Sequence, residues 1–312
     1  MDEFQLIRTY FAGLGALDSD VIAGIGDDAA LLRVTAGQEL VVTTDTLVAG
    51  CHFPAQTSAR DIGWKALAVN LSDLAAMGAQ PRWVTLALTL PQDDAAWLEG
   101  FCGGFAALLR ASAVALVGGD TTRGPLSITV TAMGVVPAGK ALRRSGAQIG
   151  DLVCVTGTLG DAALGLRLLE QPGLPDSLRE RLDRPEPRWA AGLILREFAH
   201  AAIDLSDGLA GDLSHVLKAS GVGADVDVQR LPQSYAFAKL VPANERLKLQ
   251  VQGGDDYELC VCLPPDQFEV AQSRLDVPLT VIGRITPETG LRFLDGNGAT
   301  IPLPSHGYRH FT

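Results

Sequence analysis

Six short segments place acidic residues beside glycine or at the polar ends of apolar runs. They are Gly26-Asp27-Asp28-Ala29, Thr43-Thr44-Asp45, Asn70-Leu71-Ser72-Asp73, Gly118-Gly119-Asp120-Thr121-Thr122-Arg123-Gly124, Asp204-Leu205-Ser206-Asp207-Gly208 and Gly253-Gly254-Asp255-Asp256-Tyr257-Glu258. Carboxylate and hydroxyl oxygens are hard donors that suit Mg2+ or Ca2+ rather than thiophilic metals. Glycine beside them lets a ligand come close to the main chain. Carboxylates gathered at short range repel one another, and divalent cations with a polyphosphate would relieve that repulsion. If the segments converge from both halves of the chain, they build a metal–phosphate site in a protein that is itself acidic. Each segment alone also has an ordinary use. Gly-Asp pairs make turns, Asp27-Asp28 and Asp204–Gly208 can cap helices, and Asn70 with Asp73, three apart, suit a solvated helix face. Against that last use, Ala66, Leu67, Leu71, Leu74 and Ala75 make the helix apolar nearly all round, so an acid on it needs a reason.

Basic residues are fewer. Arg123, Arg143 and Arg144 lie in glycine-containing stretches from which a guanidinium can reach phosphate oxygens, or simply be solvated. His52 stands just past Asp45, whereas His200, His215, His306 and His310 fall into no partner pattern. The Walker A loop, the kinase His-Arg-Asp and Asp-Phe-Gly signatures, the Gly-x-Ser-x-Gly elbow and His-Glu-x-x-His are all missing from the sequence. Phosphoryl transfer by this chain would therefore use a less common fold.

These side chains need elements to hold them. The chain has 312 residues, 47% hydrophobic, long enough for two domains. Its 25 Lys+Arg against 36 Asp+Glu give a net charge of −11, which disfavours a nucleic-acid partner. No uncharged apolar run approaches a membrane span, and the N-terminus has no signal-peptide pattern, so a cytoplasmic protein is expected. Five scattered cysteines with no Cys-x-x-Cys read as buried thiols, with Cys260 and Cys262 on one side of a strand. Strands are expected at 39–46, 83–90, 114–117, 127–133, 151–157, 257–263 and 280–283. Helices are expected at 60–77, 93–111, from 161, at 188–200 and at 208–219. A polar break from Pro137 to Gly150 suggests domains of residues 1–137 and 138–312.

The acidic segments, with Thr43–Phe53 and Lys65–Ala79, resemble the thiamine-monophosphate kinase family over nearly the whole chain. That family lies in the aminoimidazole ribonucleotide synthetase-like superfamily of ATP-using enzymes. The resemblance implies an α+β fold of two α/β sandwich domains, the N-terminal sheet forming a homodimer. It implies Mg2+-dependent transfer of the ATP γ-phosphoryl group onto thiamine monophosphate. Asp28, Thr43, Thr44, Asp45, Asp73, Asp120, Asp204 and Asp207 match metal positions, with Asp45, Asp73, Asp120 and Asp207 acting in catalysis through Mg2+. Gly119, Asp120, Arg144 and Ser206 match ATP contacts. His52 and Asp255 match substrate contacts, Asp255 standing where the family usually has Glu. Tyr308 stands near the place of a C-terminal aromatic that packs on the thiamine rings. A sister reaction, with ATP activating a carbonyl or amide oxygen, and a non-catalytic nucleotide- or metal-binding module are the alternatives.

Overall fold

The computed structural model describes residues 3–15 and 19–302. The chain divides into two compact units, Met1–Leu74 with Ala79–Lys140, and Ala75–Gly78 with Ala141–Thr312.

In the first unit, helix α1 (Glu3–Leu6) runs into a π-helical turn (Ile7–Phe11). Strands β1 (Val21–Ala23) and β2 (Leu31–Leu32) pair antiparallel. Then come β3 (Gln38–Val48), α2 (Ala59–Ala76, to Leu74 in this unit), β4 (Gln80–Leu90), α3 (Ala95–Ser112), β5 (Ala115–Arg123) and β6 (Ser127–Pro137). The four long strands form one sheet in the order β3-β6-β4-β5, with β6 antiparallel to both neighbours and β4 parallel to β5. Helix α3 starts where the Asp94 carboxylate accepts the Trp97 N–H at 3.0 Å, and it buries Leu98, Phe101, Phe105, Leu108 and Leu109. Helices α2 and α3 meet backbone to backbone. A Cβ on Gly104 would lie 1.8 Å from the Arg60 carbonyl, and one on Gly63 2.1 Å from that of Phe101.

The second unit holds β7 (Leu152–Thr156), α4 (Asp161–Arg167), α5 (Asp176–Asp183), α6 (Trp189–Leu195), β8 (Ala201–Asp204), α7 (Leu209–Ser220) and β9 (Gly223–Asp227). It continues with α8 (Tyr235–Leu240), α9 (Ala243–Gln252), β10 (Leu259–Leu263), α10 (Phe268–Arg274), β11 (Leu279–Thr286), β12 (Gly290–Leu294) and β13 (Thr300–Ile301). Seven strands form one sheet, β13-β12-β9-β11-β7-β10-β8, antiparallel except for β12 with β9. The period of two sorts residues to its faces. Cys260, Cys262 and Val153 enter one apolar cluster, whereas Cys154, Leu259, Val261 and Leu263 enter another. Cys260 and Cys262 therefore do share a side.

Two expectations need correction. The strand expected at 114–117 does not stop at Gly118-Gly119-Asp120 but runs on to Arg123. Gly119, at φ 150°, has no Cβ to meet the Leu86 carbonyl, which would stand 1.9 Å from one, so the edge strand keeps its pairing with β4 through the glycines. Asp27-Asp28 caps no helix; these residues lie in an irregular turn that leads to β2.

Candidate functional site

On β3 the side chains alternate between the two sides of the strand. Thr43 and Asp45 are half-buried and Leu47 is buried, whereas Val42, Thr44, Thr46 and Val48 are exposed. The half-buried side meets α2. The Thr43 hydroxyl donates to the Asp73 carboxylate at 2.5 Å, and the Asp45 N–H donates to the Asn70 amide oxygen at 3.0 Å. Asn70 is fully buried and also donates to the Ala66 carbonyl at 3.1 Å. Asn70 and Asp73, on an otherwise apolar helix, thus each have a partner on β3. Burial, and secondly the charge of Asp73, push the Asp45 carboxyl up from 3.8 to about 6. Two carboxylates in a half-buried setting, with a threonine hydroxyl beside them, are a hard-oxygen donor set, and that fits Mg2+.

Thr44 departs from this arrangement. Its hydroxyl pairs with Thr131 across β6 at 2.9 Å, on the exposed side of β3, as Thr46 pairs with Thr129 at 2.8 Å. The period of two therefore keeps the Thr44 side chain away from the Asp45–Asp73 pair. Beyond β3, a tight turn brings His52 back so that its Nδ1 accepts the Val48 N–H at 3.0 Å. That bond sets the imidazole tautomer, with the proton on Nε2 in the neutral ring.

Asp28 and Asp120 line one cleft of about 850 Å³ in this unit, with Gly26 and Gly119 in its wall. Both acids are exposed. The cleft also carries Arg8 and Phe11. Among the described residues, no three His, Cys, Asp or Glu side chains stand ready around one point to hold a metal.

In the second unit, β8 ends at Asp204, and residues 205–208 turn into α7. Gly208, at φ 105°, caps that helix without a side chain. The cap comes from inside the helix, where the Asp212 carboxylate accepts the N–H groups of Asp207 and Gly208, each at 3.1 Å. Burial, then the charge of Asp207, raise the Asp212 carboxyl to about 7, with those hydrogen bonds and the Arg144 charge pulling the other way. Arg144 and Asp207 therefore share the electrostatic neighbourhood of Asp212. The 253–258 segment zips onto the turn. Asp255 N–H donates to the Ser206 carbonyl at 2.9 Å, Tyr257 N–H to that of Leu205 at 2.8 Å, and Leu205 N–H to that of Glu258 at 2.9 Å. Ser206, Asp207 and Asp255 are thus brought together across about fifty residues of sequence. Tyr308 and His306 lie outside the described residues.

Residues 26–136 match the family model for AIR synthase related protein, N-terminal domain, and residues 148–296 that for its C-terminal domain. The thiamine-monophosphate kinase of Salmonella typhimurium (strain LT2) is 49% identical over 319 residues, 99% of this chain and 98% of that protein. This chain belongs to the thiamine-monophosphate kinase family. The crystal structure of the thiamine-monophosphate kinase from Stenotrophomonas maltophilia K279a is 52% identical and superposes with a TM-score of 0.85, over 91% of this chain and 93% of that one. AaThiL, solved in complex with AMPPCP and TMP, is 30% identical with a TM-score of 0.78, over 89% of each chain.

Sequence reasoning missed Asp212 and the arginines that hold Glu258 in this thiamine-monophosphate kinase family member, and it named Glu258 only as part of the 253–258 segment. For Asp212 a signal was present, because Leu209, Ala210, Leu213, Val216 and Leu217 form a buried stripe on α7, and an acid inside such a stripe needs donors.

Proposed function

We propose that this chain transfers the γ-phosphoryl group of ATP onto the phosphate of thiamine monophosphate, giving thiamine diphosphate and ADP. The observation that carries the reading is the meeting of β3 and α2, where Thr43 donates to Asp73 and the Asp45 main chain donates to Asn70, so that two half-buried carboxylates and a hydroxyl are set side by side. Asp45, Asp73, Asp28 and Asp120 of the first unit, with Thr43, would hold Mg2+, as would Asp204 and Asp207 of the second. When bound, Mg2+ supplies neutralisation of the polyphosphate charge and of the charge that develops on the transferred group. Thr44 enters this set only through its main chain.

The chain's own residues do the rest. A phosphate monoester has a second pKa near ~6, so the acceptor oxygen is already ionised at neutral pH and needs no general base. This fits a site rich in acids and poor in histidine. Gly119, in the wall of the cleft beside Asp120, offers its main chain to a phosphate oxygen. Arg144 holds donor phosphate oxygens, with Ser206 beside them. His52 and Asp255 orient the acceptor. Two anionic groups then meet in line because positioning and electrostatics, rather than proton transfer, lower the barrier.

Two copies of the chain pair through the exposed side of β3. Leu40, Val42 and Val48 stand 47%, 54% and 41% exposed there, an apolar row that a monomer has no reason to show to water. The enzyme works in the cytoplasm, in keeping with buried thiols at Cys102, Cys154, Cys260 and Cys262. No helix among the described residues is long and apolar enough to cross a membrane.

The deciding experiment measures ADP release with ATP, Mg2+ and thiamine monophosphate, and identifies thiamine diphosphate as product. Steady ADP formation that needs both substrates is expected. ADP release that is indifferent to thiamine monophosphate would refute the reading.

A further inference from the structure

Behind Asp255 lies a buried ionic knot that the mechanism above does not use. Glu258 is fully buried, and its two carboxylate oxygens take four donors. Arg188 donates from Nε at 2.7 Å to one oxygen and from Nη2 at 2.7 Å to the other, Arg181 Nη2 donates at 3.0 Å, and the Thr156 hydroxyl at 2.7 Å. Arg181 Nη2 also reaches the carbonyls of Asp256 at 3.1 Å and Thr158 at 3.4 Å. Its Nε is buried with no hydrogen-bond partner among the described residues. The Asp256 carboxylate, also buried, accepts the Gly160 N–H through both oxygens, at 3.0 and 2.9 Å, and so closes the start of α4. Room for the knot is kept by Gly157, where a Cβ would stand 2.1 Å from Glu258 Oε1.

A buried ion cluster seldom adds net stability over an apolar core of the same shape, so its use lies elsewhere. Its neighbours show where. Asp255 and Tyr257, which flank Asp256, both sit in the left-handed region, at φ 67° and 50°. Side chains other than glycine avoid that region unless the surroundings enforce it. The enforcing contacts are the zipper onto Leu205 and Ser206 on one side and the knot at Asp256 and Glu258 on the other. The Tyr257 hydroxyl also donates to Asp255 Oδ1 at 3.2 Å, so the pose of one fixes the other. The Ser206–Gly208 turn, in contrast, has its own anchor in Asp212. Loss of the knot therefore falls on Asp255 and spares the turn.

We propose that Glu258, held in the Arg188 fork and by Arg181, is a positioning residue that sets Asp255 against the acceptor substrate. This rests on the reading of Asp255 as an acceptor contact, and the test separates the two. The full-length enzyme is assayed for ADP release with each substrate varied, as wild type, Arg188→Met, Arg188→Lys, Asp255→Ala and Arg188→Met with Asp255→Ala. Arg188→Met is expected to raise KM for thiamine monophosphate at least tenfold and KM for ATP less than twofold. In the Asp255→Ala background the same change is expected to add less than twofold, because the group it positions is gone. Arg188→Lys keeps the charge but loses the fork, and a rise of about threefold in the same KM is expected. That variant decides the matter if Arg188→Met does not fold. Equal rises in both KM values, a lower melting temperature with unchanged kinetics, or full multiplication of the two single effects would overturn the proposal. An Asp255→Ala variant with wild-type KM for the acceptor would instead overturn the reading on which it rests.

Discussion

Asp45→Asn separates stability from turnover in opposite directions. The folded protein holds the Asp45 proton up to about 6, against 3.8 for a free side chain. A raised acid binds its proton more tightly when folded, so its contribution is fully favourable below 3.8 and is lost as pH rises through about 6. At pH 8 the ionised pair then costs about 3 kcal/mol of folding free energy, as an order of magnitude. Asparagine keeps the shape, keeps the Asp45 main-chain bond to Asn70 and removes the charge. In chelator at pH 8 the variant is expected to be more stable by up to about 3 kcal/mol, with each kcal/mol moving Tm by roughly 2–4 °C. Toward pH 4 the difference closes to under about 1 kcal/mol, because wild-type Asp45 is then protonated in the fold. Turnover is expected to fall by a factor of at least about 100 with ATP and thiamine monophosphate. Urea melts of both proteins from pH 4 to 8, beside an ADP-release assay, make the measurement. A gain in stability that is the same at pH 4 and pH 8, or none at pH 8, would refute the claim of a strained carboxylate pair.

Three further outcomes are expected. Asp120→Asn, on an exposed wall of the cleft, folds with a stability change within about 0.5 kcal/mol but loses turnover; near-normal turnover at low Mg2+ would sink its metal role. Gly119→Ala drives a Cβ toward the Leu86 carbonyl, 1.9 Å away, at φ 150°, and is expected to cost at least about 2 kcal/mol by urea melting; an unchanged midpoint contradicts the strand pairing described. Val42→Glu places a charge in the exposed apolar row of β3 and is expected to yield monomers in sedimentation, whereas a wild type that sediments as a monomer removes the dimer altogether.

The sequence was most legible where one period ruled. The long strands β3, β4 and β6 and the helices α2 and α3 follow from alternation and from apolar stripes. The extension of β5 to Arg123 was hidden because glycine and aspartate lower strand propensity, while pairing with β4 overrides that local preference. The short strands β9 and β12 were hidden for a related reason, since Gly223-Ala224-Asp225 reads as a turn until Leu291 pairs beside it. At the site, residue types pointed to Asp45 and Asp73, and the helix around Asn70 showed that these polar groups needed partners. Which hydroxyl joins them was not legible from Thr43-Thr44 as types. It followed only once the register of β3 set Thr43 toward Asp73 and Thr44 toward Thr131. The Glu258 knot was invisible because its donors, Thr156, Arg181 and Arg188, lie 70 or more residues before Glu258 and are bound to it only by the fold.

The two units carry electrostatic strain of the same sign. In the first, burial and Asp73 hold the Asp45 carboxyl at about 6; in the second, burial and Asp207 hold the Asp212 carboxyl at about 7. Each is an acid whose carboxyl is raised first by burial and secondly by a neighbouring acid that the proposed function assigns to cation binding. A cation near Asp73 or Asp207 cancels the smaller, charge-driven part of each rise and attracts the ionised form, so both carboxyls should fall when ligand binds and the protons they hold should leave. Ligand binding and deprotonation are then linked, and the release of protons is largest below the free-protein values, under about 6 for Asp45 and under about 7 for Asp212, where the free protein still holds them and the bound one does not. The same coupling explains why a fold would keep acids that weaken it. Neutralising Asp45 stabilises the free protein, but it also removes the differential affinity by which a polyphosphate with its cations is drawn to the site, whereas Asp212 is in addition the acceptor that anchors its turn.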